Sequence, residues 1–212
     1  MAGAALLVIA KAPLPGRSKT RLCPPCTPDQ AAALARAALL DTLAVVARTP
    51  CARRVLVFEG SGWEPPGFEV IPQRGAGLAE RLAAAFADAG GPALLVGMDT
   101  PQLTSSLLLD GLQALARPGV DAVLGPSFDG GYWSVGLREP FAGVFDGVPM
   151  SVPSTCTVQR SRLAALGLGV HEQPLLRDVD TIADAVAVAR QAPWSRFARA
   201  LAAVRPASTA AA

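Results

Sequence analysis

Short apolar runs alternate along the chain with longer segments whose apolar residues recur at helical spacing. The first run, residues 4–10, has β-branched residues at its centre and ends at a segment rich in proline and glycine, which predicts a buried parallel strand. Comparable runs predict further strands at 53–58, 68–71, 92–99, 120–126, 132–137 and 169–175. Helical spacing predicts helices at 28–46, 78–89, 103–116, 155–166, 183–191 and 193–204.

This alternation predicts an α/β fold. The strand at 132–137 follows an Asp-Gly-Gly turn and is expected to run back antiparallel, whereas the other strands have the connections of a parallel sheet. We therefore expect a single-domain, three-layer α/β/α fold with a mixed, mostly parallel sheet. A chain of 212 residues suffices for one such domain, expected over residues 1–204, and residues 205–212 should form a disordered tail.

A basic loop follows the first predicted strand. It contains the chain's two lysines, Lys11 and Lys19, together with Arg17 and Arg21, and Gly16 lies among them. Ammonium and guanidinium groups suit different phosphate geometries, so four such cations on one turn indicate a polyphosphate site. The loop lacks the Gly-Lys-Ser/Thr ending of a Walker loop, and a solvated basic loop is the alternative interpretation.

Acidic residues follow other predicted strands. Asp99 ends the strand at 92–99, and ligands bind beyond the carboxyl ends of strands in open α/β sheets, so Asp99 should share a crevice with the basic loop. Asp178 and Asp180 precede a predicted helix and point to one face in extended geometry. Unpaired carboxylates beside a polyphosphate repel it unless a divalent cation lies between, so we expect them to bind Mg²⁺ or Mn²⁺. Their alternative role is to cap the helices that follow.

Two glycine-containing turns supply further candidates. Asp129 precedes two glycines that permit close approach of a ligand, and Tyr132, the chain's one tyrosine, follows them. Gln73 could contact a nucleobase edge, and Gly77 belongs to the glycine-rich turn before the helix at 78–89. The alternatives are an ordinary hairpin turn at Asp129 and, near Gly77, a turn whose glycines only permit positive φ.

Composition narrows the range of partners. A net charge of +2 and 5% aromatic residues provide neither a basic face nor stacking residues, so no nucleic-acid partner is expected. No apolar run approaches the roughly twenty residues needed to span a bilayer, and the N-terminal run lacks a basic flank. These features predict no membrane partner and a cytoplasmic location. They leave the oligomeric state open.

Cys23 and Cys26 have the spacing of a zinc or redox motif. Zinc would need two more ligands, and the one histidine, His171, lies in an alternating strand pattern. A redox pair should directly follow a strand, whereas this pair follows the basic loop. We therefore expect both cysteines to be incidental to activity.

Four motifs stand in order between about residues 5 and 190. They are Ala10-Lys11-Ala-Pro-x-Pro-Gly-x-x-Lys19-Thr-Arg21-Leu, Gly97-x-Asp99-x-Pro101, Gly125-Pro-x-x-Asp129-Gly-Gly-Tyr132 and Asp178-Val-Asp180-Thr. Together they resemble the rSAM/selenodomain-associated transferase family, which is similar to the GT-A, nucleotide-diphospho-sugar transferase superfamily. The resemblance implies the GT-A fold. It also implies that Lys11, Lys19 and Arg21 bind phosphates and that Asp99 binds a divalent metal together with Asp178 or Asp180. The acceptor would bind near Asp129 and Tyr132. Residues 149–153 depart from the Trp-Ser-Thr-Pro-like stretch typical of that family.

The candidate residues support two enzymatic interpretations and one that is not enzymatic. In nucleotidyl transfer, a small phosphorylated or hydroxyl acceptor attacks the α-phosphate of an NTP, with Lys19 and Arg21 on the leaving pyrophosphate, Asp99 on the metal and Asp129 on the acceptor. In glycosyl transfer, the donor is a nucleotide-diphospho-sugar. GT-A glycosyltransferases usually carry Asp-x-Asp where this chain has Gly-Met-Asp99, so nucleotidyl transfer is slightly favoured. The third interpretation is a non-catalytic nucleotide-binding module.

Overall fold

The chain forms one seven-stranded sheet flanked by helices in a computed structural model that describes residues 3–204. In chain order the strands are β1 (Ala5–Lys11), β2 (Arg53–Glu59), β3 (Glu69–Pro72), β4 (Ala93–Val96), β5 (Ala122–Pro126), β6 (Tyr132–Leu137) and β7 (Val170–Glu172). The α-helices of this part of the chain are α1 (Pro28–Arg48), α2 (Leu78–Ala89), α3 (Ser105–Leu115), α4 (Thr155–Ala165), α5 (Ile182–Gln191) and α6 (Arg196–Ala202). The elements follow the order that the sequence predicts.

The sheet is mixed and mostly parallel, with strand order β3-β2-β1-β4-β6-β5-β7. Strand β6 runs antiparallel to both of its neighbours, β4 and β5, and all the other pairs within residues 3–204 are parallel. The predicted fold class and the antiparallel strand after the Asp-Gly-Gly turn are confirmed. Because β1, β4, β5 and β7 point the same way, the loops that follow them leave one edge of the sheet.

Apolar side chains on both faces of β1 hold the layers together. Leu6 and Val8 are fully buried in a cluster with residues of α1 and α3, whereas Leu7 is fully buried in a second cluster with residues of α2 and α4. Burying each such side chain contributes roughly 1.5–3 kcal/mol. A third cluster joins α1 to α5 and α6 around Phe197. Period-2 alternation in the strand therefore sets which helices cover each face.

Threonines cap three of the helices. Thr27 accepts a hydrogen bond from the amide of Gln30 at the start of α1, and Thr104 accepts one from the amide of Leu107 at the start of α3. Thr181 caps α5 in a capping box with Asp184. Asp99 and Asp180 therefore do not serve as the caps of the helices that follow them, which removes the structural alternative for both carboxylates.

Helix α1 is long and apolar enough to cross a membrane by length and composition alone, although no apolar run of that length was expected. Of its most apolar stretch, 67% is buried inside the protein, and small alanines there pack against the sheet. A core helix passes the same test of composition. The predicted disordered tail, residues 205–212, lies outside the described residues.

Candidate functional site

A cleft of about 380 Å³ opens at the edge of the sheet where β1, β4, β5 and β7 end. Eight charged residues line it, and all of them are predicted site residues: Lys11, Arg17, Lys19, Arg21, Asp99, Asp129, Asp178 and Asp180. They come from the loops after β1, β4, β5 and β7, which are far apart in sequence. The parallel strand direction brings them together, as the crevice argument from the sequence anticipated.

The basic loop after β1 is an ordered turn. The hydroxyl of the buried Ser18 accepts a hydrogen bond from the amide of Leu14 at 3.1 Å and donates one to the carbonyl of Ala12 at 3.4 Å. Gly16 has φ of +71°, which favours glycine, and no other heavy atom beyond its chain neighbours lies within 4 Å of the place a Cβ would take. Sequence reasoning missed Ser18, because a single serine in a polar loop carries no pattern.

Lys19 is the most enclosed cation of the loop, with 11% of its side chain exposed. Its Nζ lies 2.9 Å from Oδ2 of Asp99 and donates a hydrogen bond to the carbonyl of Val179. Arg21 forms an ion pair with Asp180, but its own side chain is largely exposed. Two of the four cleft cations thus form ion pairs with two of its four carboxylates. The expectation that the carboxylates stand unpaired is wrong at Asp99 and Asp180, because the basic loop folds back onto them.

Backbone strain also concentrates at the cleft. Within residues 3–204, two residues other than glycine have positive φ, Lys19 at 50° and Ser151 at 61°, and both line the cleft. Such conformations cost of order 1–3 kcal/mol and persist where the surroundings enforce them. Ser151 was not a predicted site residue, since its position depends on the irregular loop before α4.

Asp99 keeps one oxygen without a partner. Its Oδ1 is buried and has no hydrogen bond within the described structure, whereas Oδ2 faces Lys19. A buried carboxylate oxygen without a donor is costly. A cation at this oxygen would remove that cost, so the atom is available to a ligand.

Asp178 lies among other negative groups. Burial raises the pKa of its carboxyl to about 6, with a further contribution from the nearby Asp129 carboxylate. A positive ion in the cleft would offset both effects. Asp99 therefore offers a carboxylate oxygen without a partner, and Asp178 offers a carboxylate whose ionised form is disfavoured. Both residues line the cleft.

The cleft suits a divalent metal whose remaining ligands come from substrate phosphates. No group of three or more carboxylate, histidine or cysteine side chains close enough to hold a metal occurs within residues 3–204. Mg²⁺ is commonly bound by one or two carboxylates plus substrate phosphates, and Asp99 and Asp178 meet that smaller requirement. The arrangement does not suit a metal held by the protein alone.

The Asp129 turn forms part of the cleft lining. Oδ1 of Asp129 accepts a hydrogen bond from the amide of Gly131 at 2.8 Å. Gly130 has φ of +86°, and a Cβ there would lie 2.0 Å from the carbonyl oxygen of Pro153. The amide of Cys156 donates to the carbonyl of Gly130 at 2.8 Å. The loop before α4 therefore braces this turn from behind, which only glycine permits at that point.

Four of the predicted residues do not line the cleft: Gly16, described above, and Gln73, Gly77 and Tyr132. The side-chain amide of Gln73 donates to the carbonyl of Ala10 at 2.8 Å, so it ties the strand ends together. Gly77 stands at the start of α2. The hydroxyl of Tyr132 donates to the sulfur of Met150 at 3.6 Å, and burial raises the pKa of that hydroxyl. Ligand roles for these four residues stay predictions.

A second cavity, of about 410 Å³, adjoins the basic loop. Lys11 and Arg17 line both cavities, and Glu59 and Gly60 at the end of β2 complete the second one. A Cβ on Gly60 would lie 2.5 Å from the ring of Phe58, so only glycine fits at this point without a shift of that ring. The two cavities therefore meet at the loop cations Lys11 and Arg17.

The cysteines carry no site within the described residues. Cys23, Cys26, Cys51 and Cys156 are free thiols. Burial raises the pKa of the Cys26 thiol, with a smaller effect from Cys23, so the thiolate needed for redox chemistry or metal binding is disfavoured.

The strand order and the cleft at the sheet edge define a nucleotide-diphospho-sugar transferase-like α/β protein. The chain belongs to the family described as "Uncharacterized protein conserved in bacteria (DUF2064)", which matches residues 31–152. That segment includes Asp99 and Asp129 but neither the basic loop nor Asp178 and Asp180. A comparison with curated proteins gave no match.

Solved structures share the fold. A protein from Desulfovibrio desulfuricans G20, assigned provisionally as a nucleotide-diphospho-sugar transferase, is 30% identical with a TM-score of 0.83, over 95% of this chain and 94% of that one. CMP:2-keto-3-deoxy-manno-octonic acid synthetase, solved with CTP, is 13% identical with a TM-score of 0.52, over 91% of this chain and 98% of that one. A mannosyltransferase from Pyrobaculum calidifontis was solved with GDP-Man and Mn²⁺. It is 13% identical with a TM-score of 0.54, over 96% of this chain and 65% of that one. These neighbours are transferases, and the last two show likeness of fold alone.

Proposed function

We propose that this protein is a divalent-metal-dependent transferase that uses a nucleotide-activated donor. The observation that carries the proposal is the cleft in which four cations of one loop face four carboxylates from three other loops. Such a charge arrangement suits a phosphate chain on one side and a metal on the other. We assign the activity to a single domain over residues 1–204, and we propose a cytoplasmic location.

The basic loop would bind the phosphates of the donor. Lys11 and Arg17 line both cavities, so a phosphate chain held there has the cleft on one side and the cavity at Glu59 on the other. The second cavity, of about 410 Å³, would take the nucleoside. Transferases of the same fold that were solved with CTP and with GDP-Man support a nucleotide as the ligand.

Asp99 and Asp178 would hold the divalent ion, Mg²⁺ or Mn²⁺. When bound, the ion supplies Lewis-acid polarisation of a donor phosphate. Asp180 is the weaker candidate, since Arg21 already occupies its carboxylate. The mannosyltransferase solved with Mn²⁺ supports the choice of metal.

The chain's own groups have separate tasks in nucleotidyl transfer. Lys19 and Arg21 neutralise the negative charge that develops on the leaving pyrophosphate. Asp129, held by the amide of Gly131, orients the acceptor hydroxyl and accepts its proton as the oxygen attacks the α-phosphorus. Four cations on one loop favour a triphosphate over a diphosphate donor, so this reaction is the first choice.

Glycosyl transfer from a nucleotide-diphospho-sugar is the second candidate. The assignment of the 30%-identical Desulfovibrio protein favours it. The motif resemblance to the rSAM/selenodomain-associated transferases is compatible with either reaction. A nucleotide-binding module without catalysis is the remaining, non-enzymatic alternative.

One assay separates these possibilities. The protein is incubated with Mg²⁺ or Mn²⁺, a panel of small hydroxyl and phosphorylated acceptors, and each NTP or nucleotide sugar. Pyrophosphate release with an NTP supports nucleotidyl transfer, and nucleoside diphosphate release with a nucleotide sugar supports glycosyl transfer. Donor binding without any turnover supports the non-enzymatic module, and absence of both refutes the assignment of the cleft.

A further inference from the structure

The ammonium of Lys19, the enclosed lysine of the basic loop, lies against the carboxylate that we propose as a metal ligand. Lys19 Nζ contacts Oδ2 of Asp99 at 2.9 Å and the carbonyl of Val179. A largely enclosed ammonium requires such acceptors, because burying an unpaired charge is unfavourable. Asp99 in turn has Lys19 as its sole ionic partner within residues 3–204.

Two cations therefore compete for one carboxylate. An ammonium 2.9 Å from Oδ2 reduces the negative potential at Asp99, and it repels any divalent ion that approaches the free Oδ1. The side chain of Asp99 is 39% exposed and that of Lys19 is 11% exposed, so solvent screens this repulsion only in part. A metal at Asp99 would therefore be favoured when Lys19 has another anion to contact.

We infer that Lys19 is the resident counter-ion of Asp99 and that donor phosphates draw it away, so that the metal binds tightly only after the nucleotide. The inference rests on the proposed function, since it takes the donor to be a polyphosphate. Lys19 then has two alternative anionic partners, the Asp99 carboxylate and the donor phosphates. Coupling of this kind is reciprocal, so metal and phosphate strengthen each other's binding by the same factor.

The enforced backbone conformation of Lys19 fits this exchange. Its left-handed φ of 50° is set at the start of the short helical turn Thr20–Leu22 and does not depend on where the ammonium points. The long, flexible stem lets Nζ move between acceptors while the backbone stays in place. Lys11 differs, because it is exposed and has no ion pair with a carboxylate in the described part of the chain.

The test measures Mn²⁺ affinity by electron paramagnetic resonance of the free ion, without nucleotide. Lys19→Gln should bind Mn²⁺ at least about tenfold more tightly than the wild type, because Asp99 loses its competing cation. Lys11→Gln is the matched control, since it removes the same charge from the lining of the same cleft and should change the affinity by less than about twofold. Adding Asp99→Asn to Lys19→Gln should abolish the gain.

A second measurement uses pyrophosphate as the phosphate probe, with its own Mn²⁺ complex determined in protein-free buffer. Pyrophosphate should raise the Mn²⁺ affinity of the wild type at least about tenfold and that of Lys19→Gln much less. This arm tests the wild type even where Lys19→Gln fails to fold. Absence of coupling in the wild type overturns the inference, and so do equal affinities of the wild type, Lys19→Gln and Lys11→Gln.

The two proposals fail separately. If no donor is turned over but Lys19→Gln gains Mn²⁺ affinity, the proposed function is wrong and the counter-ion role stands. If turnover is found but Mn²⁺ affinity is independent of Lys19 and of pyrophosphate, the counter-ion role is wrong and the proposed function stands.

Discussion

The backbone amide of Val179 donates a hydrogen bond to the backbone carbonyl of Asp99, with 2.9 Å between nitrogen and oxygen. This contact joins the segment after β7 to the end of β4, although β6 and β5 lie between those strands in the sheet. The spacing between Asp99 and its neighbours Asp178 and Asp180 is therefore set by backbone hydrogen bonding. Flexible side chains do not have to find that arrangement when a ligand arrives.

Replacing Asp99 by Asn should separate its chemical role from its structural role. We expect activity to fall at least about a hundredfold, because a direct metal ligand is lost. Stability without ligands should change by about 1 kcal/mol, because the amide oxygen of the asparagine can still accept a hydrogen bond from Lys19, which also keeps the carbonyl of Val179. Steady-state assays and urea unfolding measure the two effects.

Asp110→Asn is the matched control for that substitution. Its side chain is 38% exposed against 39% for Asp99, and it pairs with His171 at 2.9 Å, away from the cleft lining. The activity of Asp110→Asn should therefore stay close to that of the wild type. An equal loss of activity in both variants would mean that removal of a surface ion pair alone explains the effect.

Asp178 should make stability depend on pH in the absence of metal. Its carboxyl has a pKa raised to about 6, so the folded state binds the proton more tightly than the unfolded state. The free energy of unfolding should therefore fall as the pH rises from about 4 through about 6. At pH 7.5 Asp178→Asn should be more stable than the wild type by about 1–2 kcal/mol, after allowance for solvent screening.

Urea unfolding in EDTA at about pH 4.5 and about pH 7.5 measures this difference between the variants. The advantage of Asp178→Asn should shrink at the lower pH, where the wild-type carboxyl is protonated. A constant advantage across the range would show that Asp178 does not titrate in this window.

Gly130→Ala should be strongly destabilising. The new Cβ would lie 2.0 Å from the carbonyl oxygen of Pro153, so the loop behind the Asp129 turn has to move, at a cost of roughly 3 kcal/mol or more. Gly16→Ala is the matched substitution, because φ is +71° there but the space is open. It should cost about 1–2 kcal/mol from backbone conformation alone. Equal values from urea unfolding would mean that the contact with Pro153 is relaxed without cost.

Replacing Cys23 by Ser and Cys26 by Ala together should leave turnover within about twofold of the wild type, because a buried thiol with a raised pKa does not supply a thiolate. Native protein should also react slowly with a thiol reagent at Cys26, which is 3% exposed. Stoichiometric zinc in the purified protein, or loss of activity with the fold retained, would contradict this prediction.

The repeating patterns of the chain predict most of the fold. Leu6, Leu7 and Val8 alternate between the two buried faces of β1, so their pattern already implies a sheet covered on both sides. Residues at the carboxyl ends of parallel strands meet at one edge whatever the details of packing, and this topological rule is what places Asp99 near the basic loop.

Side-chain pairing in the cleft could not be predicted in the same way. The contact of Lys19 with Asp99 depends on a left-handed backbone at Lys19, for which a single lysine gives no sequence signal. Ser151 enters the lining through an irregular loop that has no period. The hydrogen bond from Gln73 to Ala10 depends on how far β3 extends beside β2, which is decided by tertiary packing.

The antiparallel strand β6 separates two parts of the cleft lining, which should differ in how well the fold tolerates changes in loop length. The basic loop and Asp99 follow β1 and β4, whose crossover connections also build the core, so altered lengths there would disturb the whole sheet. Asp129 sits at the tip of the β5–β6 hairpin, and the loop that braces it runs over the surface before α4. We therefore expect length changes in this hairpin and its bracing loop to alter the proposed acceptor side while the proposed donor-binding side is retained.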